Sequence, residues 1–185
     1  MIALTAIKRR HLLPSPAAAG AVPTQSAAAP FPLQFRDSFL RHWEVERGYT
    51  LAVADAMPAE QYDFKPVPVQ RSFGEQLMHL CAANMYYFST FGLAAMPQVP
   101  KGSDKETVRK VVNDSWDYTT GVLRKLGEKD ILRADLGTPR FKPHSGTDLF
   151  LRAYTHTAHH RGQAIVYLRI KGITPPTWAF EPTAG

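Results

Sequence analysis

His156 and His160 lie four residues apart in the run Tyr154-Thr155-His156-Thr157-Ala158-His159-His160-Arg161-Gly162-Gln163, which reads as helix. At about 100° per residue, His160 sits about 40° from His156 around the axis and Gln163 about 20° to the other side. Leu149 and Ala153 extend this stripe one way and Tyr167 the other. The two imidazoles therefore occupy the seam where a bundle of helices normally places leucine. A buried polar group without a partner is costly. The chain is thus confined to folds that bring other polar groups, or a cation, against this helix face.

Four segments carry helical periodicity. The first spans about 33–56, with Phe35, Phe39, Leu40, Trp43, Val45, Leu51 and Val53 as its apolar residues and Pro58 beyond its end. The link through Pro66 and Pro68 cannot be helical. The second opens at Ser72-Phe73-Gly74-Glu75, the signature of a capping box, and runs to about residue 93. A second box, Ser103-Asp104-Lys105-Glu106, opens the third, which runs to about residue 126 and is weakened by Gly121. The fourth begins near Thr147, after a Gly, Pro and Thr-rich loop over about 130–146, and stops at Lys171-Gly172 ahead of Pro175-Pro176. No segment reads as a strand. Four amphipathic helices sharing one core imply an all-α, four-helix bundle.

Residues 1–30 stand apart from this domain, 31–185. Lys8, Arg9 and Arg10 precede an Ala, Pro, Gly and Ser-rich stretch, so the segment reads either as a twin-arginine-type export signal or as a flexible extension. Location is accordingly cytoplasmic or periplasmic. Those three cations supply half of the formal +6 charge, and no basic stripe interleaved with aromatics follows. Nucleic-acid binding is therefore not expected. Neither is a membrane span, since no run approaches about 18 apolar residues. The single cysteine, Cys81, excludes an internal disulfide framework and is read as a packing residue.

Two histidines at helical spacing of four suit a tetrahedral zinc, or a nickel or iron of similar size. A third ligand must come from another helix. His79, seven residues after the second capping serine and flanked by Leu77, Leu80 and Ala83, is the candidate. The i, i+4 pair alone is a weak signal for metal, and His79 taken alone is more often a satisfied core residue. His79, His156 and His160 together would leave coordination positions open, as in catalytic sites. Around them, Gln163 could orient a ligand or water. His159 is a candidate partner at the rim, and Tyr86, on the His79 face, lines a cavity or packs in the core. Arg161 is read either as an anion binder or as an exposed charge beside the helix. His42 and His144 are expected at the surface or in loops.

The run His156 to Gln163, followed by Leu168-Arg169 and Gly172-Ile173-Thr174-Pro175-Pro176, resembles the DinB/YfiT-like family. The stretches Met57-Pro58-Ala59-Glu60-Gln61-Tyr62-Asp63-Phe64-Lys65-Pro66 and Ser72-Phe73-Gly74-Glu75-Gln76-Leu77-Met78-His79 are similar to its first link and second helix. The resemblance covers about residues 33–178. It implies an up-down-down-up bundle, a divalent metal held by His79, His156 and His160, and a homodimer. Several relatives are thiol-dependent transferases or isomerases using mycothiol, bacillithiol or glutathione, whereas many have no assigned reaction.

The leading functional expectation is a metal-dependent enzyme acting on a small molecule, either a hydrolase or a transferase using a low-molecular-weight thiol. No glutamate stands between the paired histidines, so the His-Glu-x-x-His zinc-protease pattern is absent and the general base is unassigned. The alternatives are a non-catalytic metal-binding or sensor module, and a helical interaction domain whose histidines pair with each other.

Overall fold

The computed structural model describes residues 28–138 and 141–182; the export-signal reading of the N-terminal segment, including His11, falls largely on 1–27 and lies outside them. Among these residues five α-helices and one short hairpin follow in the order α1 (Phe31–Ala56), α2 (Phe73–Ser89), α3 (Lys105–Lys125), α4 (Glu128–Leu132), β1 (Leu136–Thr138), β2 (Phe141–His144) and α5 (Gly146–Ile170), with a single 3-10 turn at Ala59–Gln61 between α1 and α2. The four long helices form the all-α bundle. No helix among the described residues is long and apolar enough to cross a membrane.

Side-chain pairings fix the direction of each helix. Arg109 at the start of α3 pairs with Asp55 at the end of α1, and Thr120 near the end of α3 donates to Glu44, 3.1 Å away. Those two helices are therefore antiparallel. Asn84 of α2 donates to Thr157 of α5 at 2.7 Å, while Gln76 reaches Gln163, so α2 and α5 are also antiparallel. Phe35 and Phe39 meet Phe150, and Glu46 meets Arg161, so α1 and α5 run parallel. The arrangement is up-down-down-up, as the family resemblance implies. A Cβ on Gly74 would collide with the carbonyl oxygen of Ser103, so the first turns of α2 and α3 start side by side and only glycine permits that approach.

Aromatic residues fill the centre. The indoles of Trp43 and Trp116 stack with centroids 4.9 Å apart. Each indole N–H has an acceptor: Thr119 Oγ1 at 2.9 Å for Trp43, and the Trp43 carbonyl at 2.7 Å for Trp116. Both rings thus bury fully without an orphaned donor. Phe39, Phe88 and Phe150 continue the cluster edge to face. Tyr62 in the α1–α2 link is buried and its hydroxyl donates to the Ala54 carbonyl at 2.7 Å, folding the proline-rich link back over the core.

Local signals explain where the elements begin and end. The box at the start of α2 forms as expected: Ser72 Oγ accepts from Glu75 N, and the Glu75 carboxylate accepts from Ser72 N. At α3 the cap is Asp104 rather than Ser103. Its carboxylate accepts from both the N–H and the hydroxyl of Thr107, and the Ser103–Glu106 box is displaced by this stronger local acceptor. Helix α2 ends at Ser89, before the expected 93, because Ser89 and Thr90 hydroxyls take up the Tyr86 and Tyr87 carbonyls and Gly92 turns left-handed at φ 71°. The start of α5 is a capping box of Ser145 and Asp148.

The stretch 130–146 was expected to be a plain loop without strand. Instead α4 and the antiparallel β1–β2 hairpin occupy it, with Leu136 opposite His144. Strands of three and four residues are too short to display alternation in sequence. Buried Ile131 and Leu136 use this cap to close one end of the bundle.

Gly74→Ala should destabilise the protein by about 1–3 kcal/mol, because its new methyl meets backbone that cannot rotate away. Gly121→Ala, with open space around the position, should instead stabilise by up to about 1 kcal/mol. Paired urea titrations check both signs.

Candidate metal centre

The antiparallel packing of α2 on α5 brings the three expected histidines together. Their ligand-capable nitrogens all lie within 4.8 Å of one another. Ring centroids are 4.3 Å apart for His156 and His160, 4.5 Å for His79 and His160, and 5.2 Å for His79 and His156. His160 is buried, and the other two are half-buried. The helical spacing of four supplies two rings from one face of α5, and α2 supplies the third from across the seam.

Burial holds these rings neutral. Desolvation, reinforced by the neighbouring imidazoles, lowers the pKa of His156 to about 3, and desolvation with His79 beside it lowers that of His160 to about 4. Burial and the Arg71 guanidinium lower that of His79. Neutral imidazoles expose the lone pairs that a cation needs. Nδ1 of His156 is buried and has no hydrogen-bond partner among the described residues. An orphaned nitrogen beside two neutral rings is the condition that a bound cation would relieve, so the donor set fits a divalent metal.

The surrounding candidates separate into those that join the site and those that do not. Gln163 does: its Oε1 accepts from Gln76 Nε2, and its Nε2 lies 2.9 Å from His159 Nε2. His159 is exposed at the rim, with its ring 4.8 Å from that of His160. Gln76, which the sequence did not single out, is buried on α2, and its Oε1 accepts from Nδ1 of His160 at 3.1 Å. Its position three residues before His79, on the same helix face, was the available signal. Tyr86 is half-buried and shares a small cleft with Tyr87, Leu149 and Arg152. Tyr87, also missed, sets its ring 5.6 Å from His156.

Arg161 requires a correction. It is neither an exposed charge nor open to an outside anion: it is 4% exposed and paired with Glu46 of α1, itself 2% exposed. Its guanidinium lies 4.3 Å from the Tyr49 ring centroid and 3.4 Å from Thr50 Oγ1. The pair ties α5 to α1 on the side of α5 away from the seam. Of the remaining histidines, His42 stacks on Phe180 at 4.5 Å, and His144 ends β2, 3.1 Å from Arg152 Nη1. Cys81 is buried, and desolvation pushes its thiol up to about 12, so it packs as expected.

A helical bundle with a three-histidine seam that could hold a metal ion is the class of protein these features define. The chain belongs to the DinB superfamily, whose family profile matches residues 42–164, a span that includes all three histidines. YjoA of Bacillus subtilis strain 168, an uncharacterized protein, is 25% identical over 141 residues, covering 75% of this chain and 92% of YjoA. A DinB-like protein from Bacillus cereus ATCC 10987 superposes with a TM-score of 0.67 at 21% identity, over 77% of this chain and 97% of that one. The crystal structure of YjoA gives 0.65 at 18% identity, over 78% and 99%. At this identity the two structures define the fold.

Two outcomes follow from the site's electrostatics. Without metal, the native site excludes protons that the unfolded chain binds below about 6.5. Stability should therefore fall as pH drops from about 6.5 towards 4, and urea midpoints in chelator at pH 7.5 and 5 should show it, with a shallower drop in His156→Gln. Glu46→Ala leaves the Arg161 charge buried and unpaired, and should cost about 3–5 kcal/mol in the same assay.

Proposed function

We propose that this protein is a divalent-metal enzyme acting on a small molecule, with His79, His156 and His160 as the ligands. The observation that carries the reading is the convergence of three neutral imidazoles from two helices within 4.8 Å, one with an orphaned nitrogen. Three protein ligands leave room for an exchangeable one, which is the catalytic rather than the closed structural pattern. A divalent ion there supplies Lewis acidity, which makes water or a thiol nucleophilic near neutral pH. The chain's own groups would hold and exclude: burial keeps the ligand rings uncharged, and the Tyr87 ring stands perpendicular to that of His156 on one side. The metal-holding group contains no carboxylate. Proton removal would therefore fall to a substrate group, to solvent or to rim His159, which fits a hydrolase or a thiol transferase better than a peptidase of the glutamate-assisted kind.

Elemental analysis of natively purified, untagged protein tests this. About one zinc, nickel or iron per chain is expected, with little in His156→Ala, and metal addition should raise the melting temperature of the wild type only. Equal metal content in both proteins would overturn the reading. Loss of an electrophile only when mycothiol, bacillithiol or glutathione is added assigns the thiol transferase; loss of an ester without thiol assigns the hydrolase.

A further inference from the structure

Gln76 stands one turn before His79 on α2 and is 1% exposed. A buried primary amide must satisfy a carbonyl and an N–H2 group at once. Here both ends are used across the α2–α5 seam. The carbonyl Oε1 faces Nδ1 of His160 at 3.1 Å, and the amide nitrogen donates to Oε1 of Gln163. Gln163 passes its own amide N–H to Nε2 of His159, 2.9 Å away at the exposed edge of α5. Each amide accepts at one end and donates at the other, so the three bonds share one direction. Donation runs from the His160 ring through Gln76 and Gln163 to His159.

That direction decides what His160 can do. A neutral imidazole carries one proton, and with it on Nδ1 the lone pair is on Nε2. Reversing the chain would turn both amides over and put the proton on Nε2, leaving no lone pair there for a cation. The Gln163 side chain also hydrogen-bonds the His160 ring, so both amides bear on it. A leucine at 76 would leave His160 Nδ1 buried with no acceptor from α2 and weaken both its tautomer preference and its rotational anchor.

We propose that Gln76 is a positioning residue of the metal centre: it fixes the tautomer and orientation of His160 and is itself held in place by Gln163 and His159. Its meaning for function rests on the metal reading above, but the hydrogen-bond chain is made by the protein's own side chains and can be tested without a metal. The two can therefore fail separately.

The experiment compares wild type with Gln76→Leu and Gln76→Glu by two measurements. Long-range proton–nitrogen spectra of the histidine rings, recorded without metal, report the His160 tautomer. Competition with a chromophoric chelator reports affinity for zinc alone. The wild type should show the proton on Nδ1. Gln76→Leu should shift it towards Nε2 and weaken zinc binding by roughly 10–100-fold. Gln76→Glu keeps an acceptor, so it should retain the Nδ1 proton and bind zinc at least as tightly as wild type. A persistent Nδ1 proton in Gln76→Leu, or equal zinc affinity in all three proteins, would overturn the proposal. If Gln76→Leu does not fold, Gln76→Met serves in its place: it removes the acceptor in a flexible side chain of similar length, the His160 signal should move in the same way, and an unmoved signal counts against the role. A wild type that takes up no zinc would refute the metal reading, and the tautomer result would still decide for or against Gln76.

Discussion

The seam between α2 and α5 is polar where a bundle would ordinarily be greasy, and the rest of the structure is arranged around that fact. Three imidazoles and two amides meet there. Each would cost about 1–3 kcal/mol if buried without a partner. The antiparallel register of the two helices is the one that lets His79 face His156 and His160 while Gln76 faces Gln163. A shift by one turn would separate these groups and leave several unsatisfied, so the site also specifies how α2 docks.

A second buried polar set works on the opposite flank. Glu46 and Arg161 tie α1 to α5, with Tyr49 and Thr50 around the guanidinium. An isolated ion pair of this kind seldom adds stability over apolar packing, because desolvating both charges offsets their attraction. Its effect here is on registry. Arg161 follows His160 directly, so holding its side chain on α1 fixes the rotation of α5 about its own axis. That rotation aims His156 and His160 into the seam. The stacked pair Trp43 and Trp116 does the corresponding work between α1 and α3, through size and through indole hydrogen bonds.

These constraints make the histidine cluster a prepared site. Burial and mutual repulsion keep the rings uncharged, Gln76 orders one of them, and His159 stands exposed beside His160 at the edge of the cluster. Preorganised neutral donors bind a cation without first having to release protons near neutral pH. Membership of the DinB superfamily accounts for the scaffold. The scaffold assigns no reaction to the site, since one fold serves many reactions.

The sequence by itself determined what local physics can encode. Apolar periodicity marked the four long helices, the Ser72 box and the Gly172 stop marked their ends, and a spacing of four placed His156 and His160 on one face. Even the nomination of His79 followed from its apolar neighbours on a helix. Where the signal was brief or contested, the local reading slipped: Asp104 outcompeted Ser103 as a cap, and the short β1 and β2 strands had no room to show alternation. Only the tertiary structure decided the partners. Glu46 meets Arg161 across 115 residues of chain, and Gln76 meets His160 across 84. A glutamate or glutamine on one helix carries no local mark of the side chain it will meet, because that pairing is set by how whole helices rotate and register to bury their faces together.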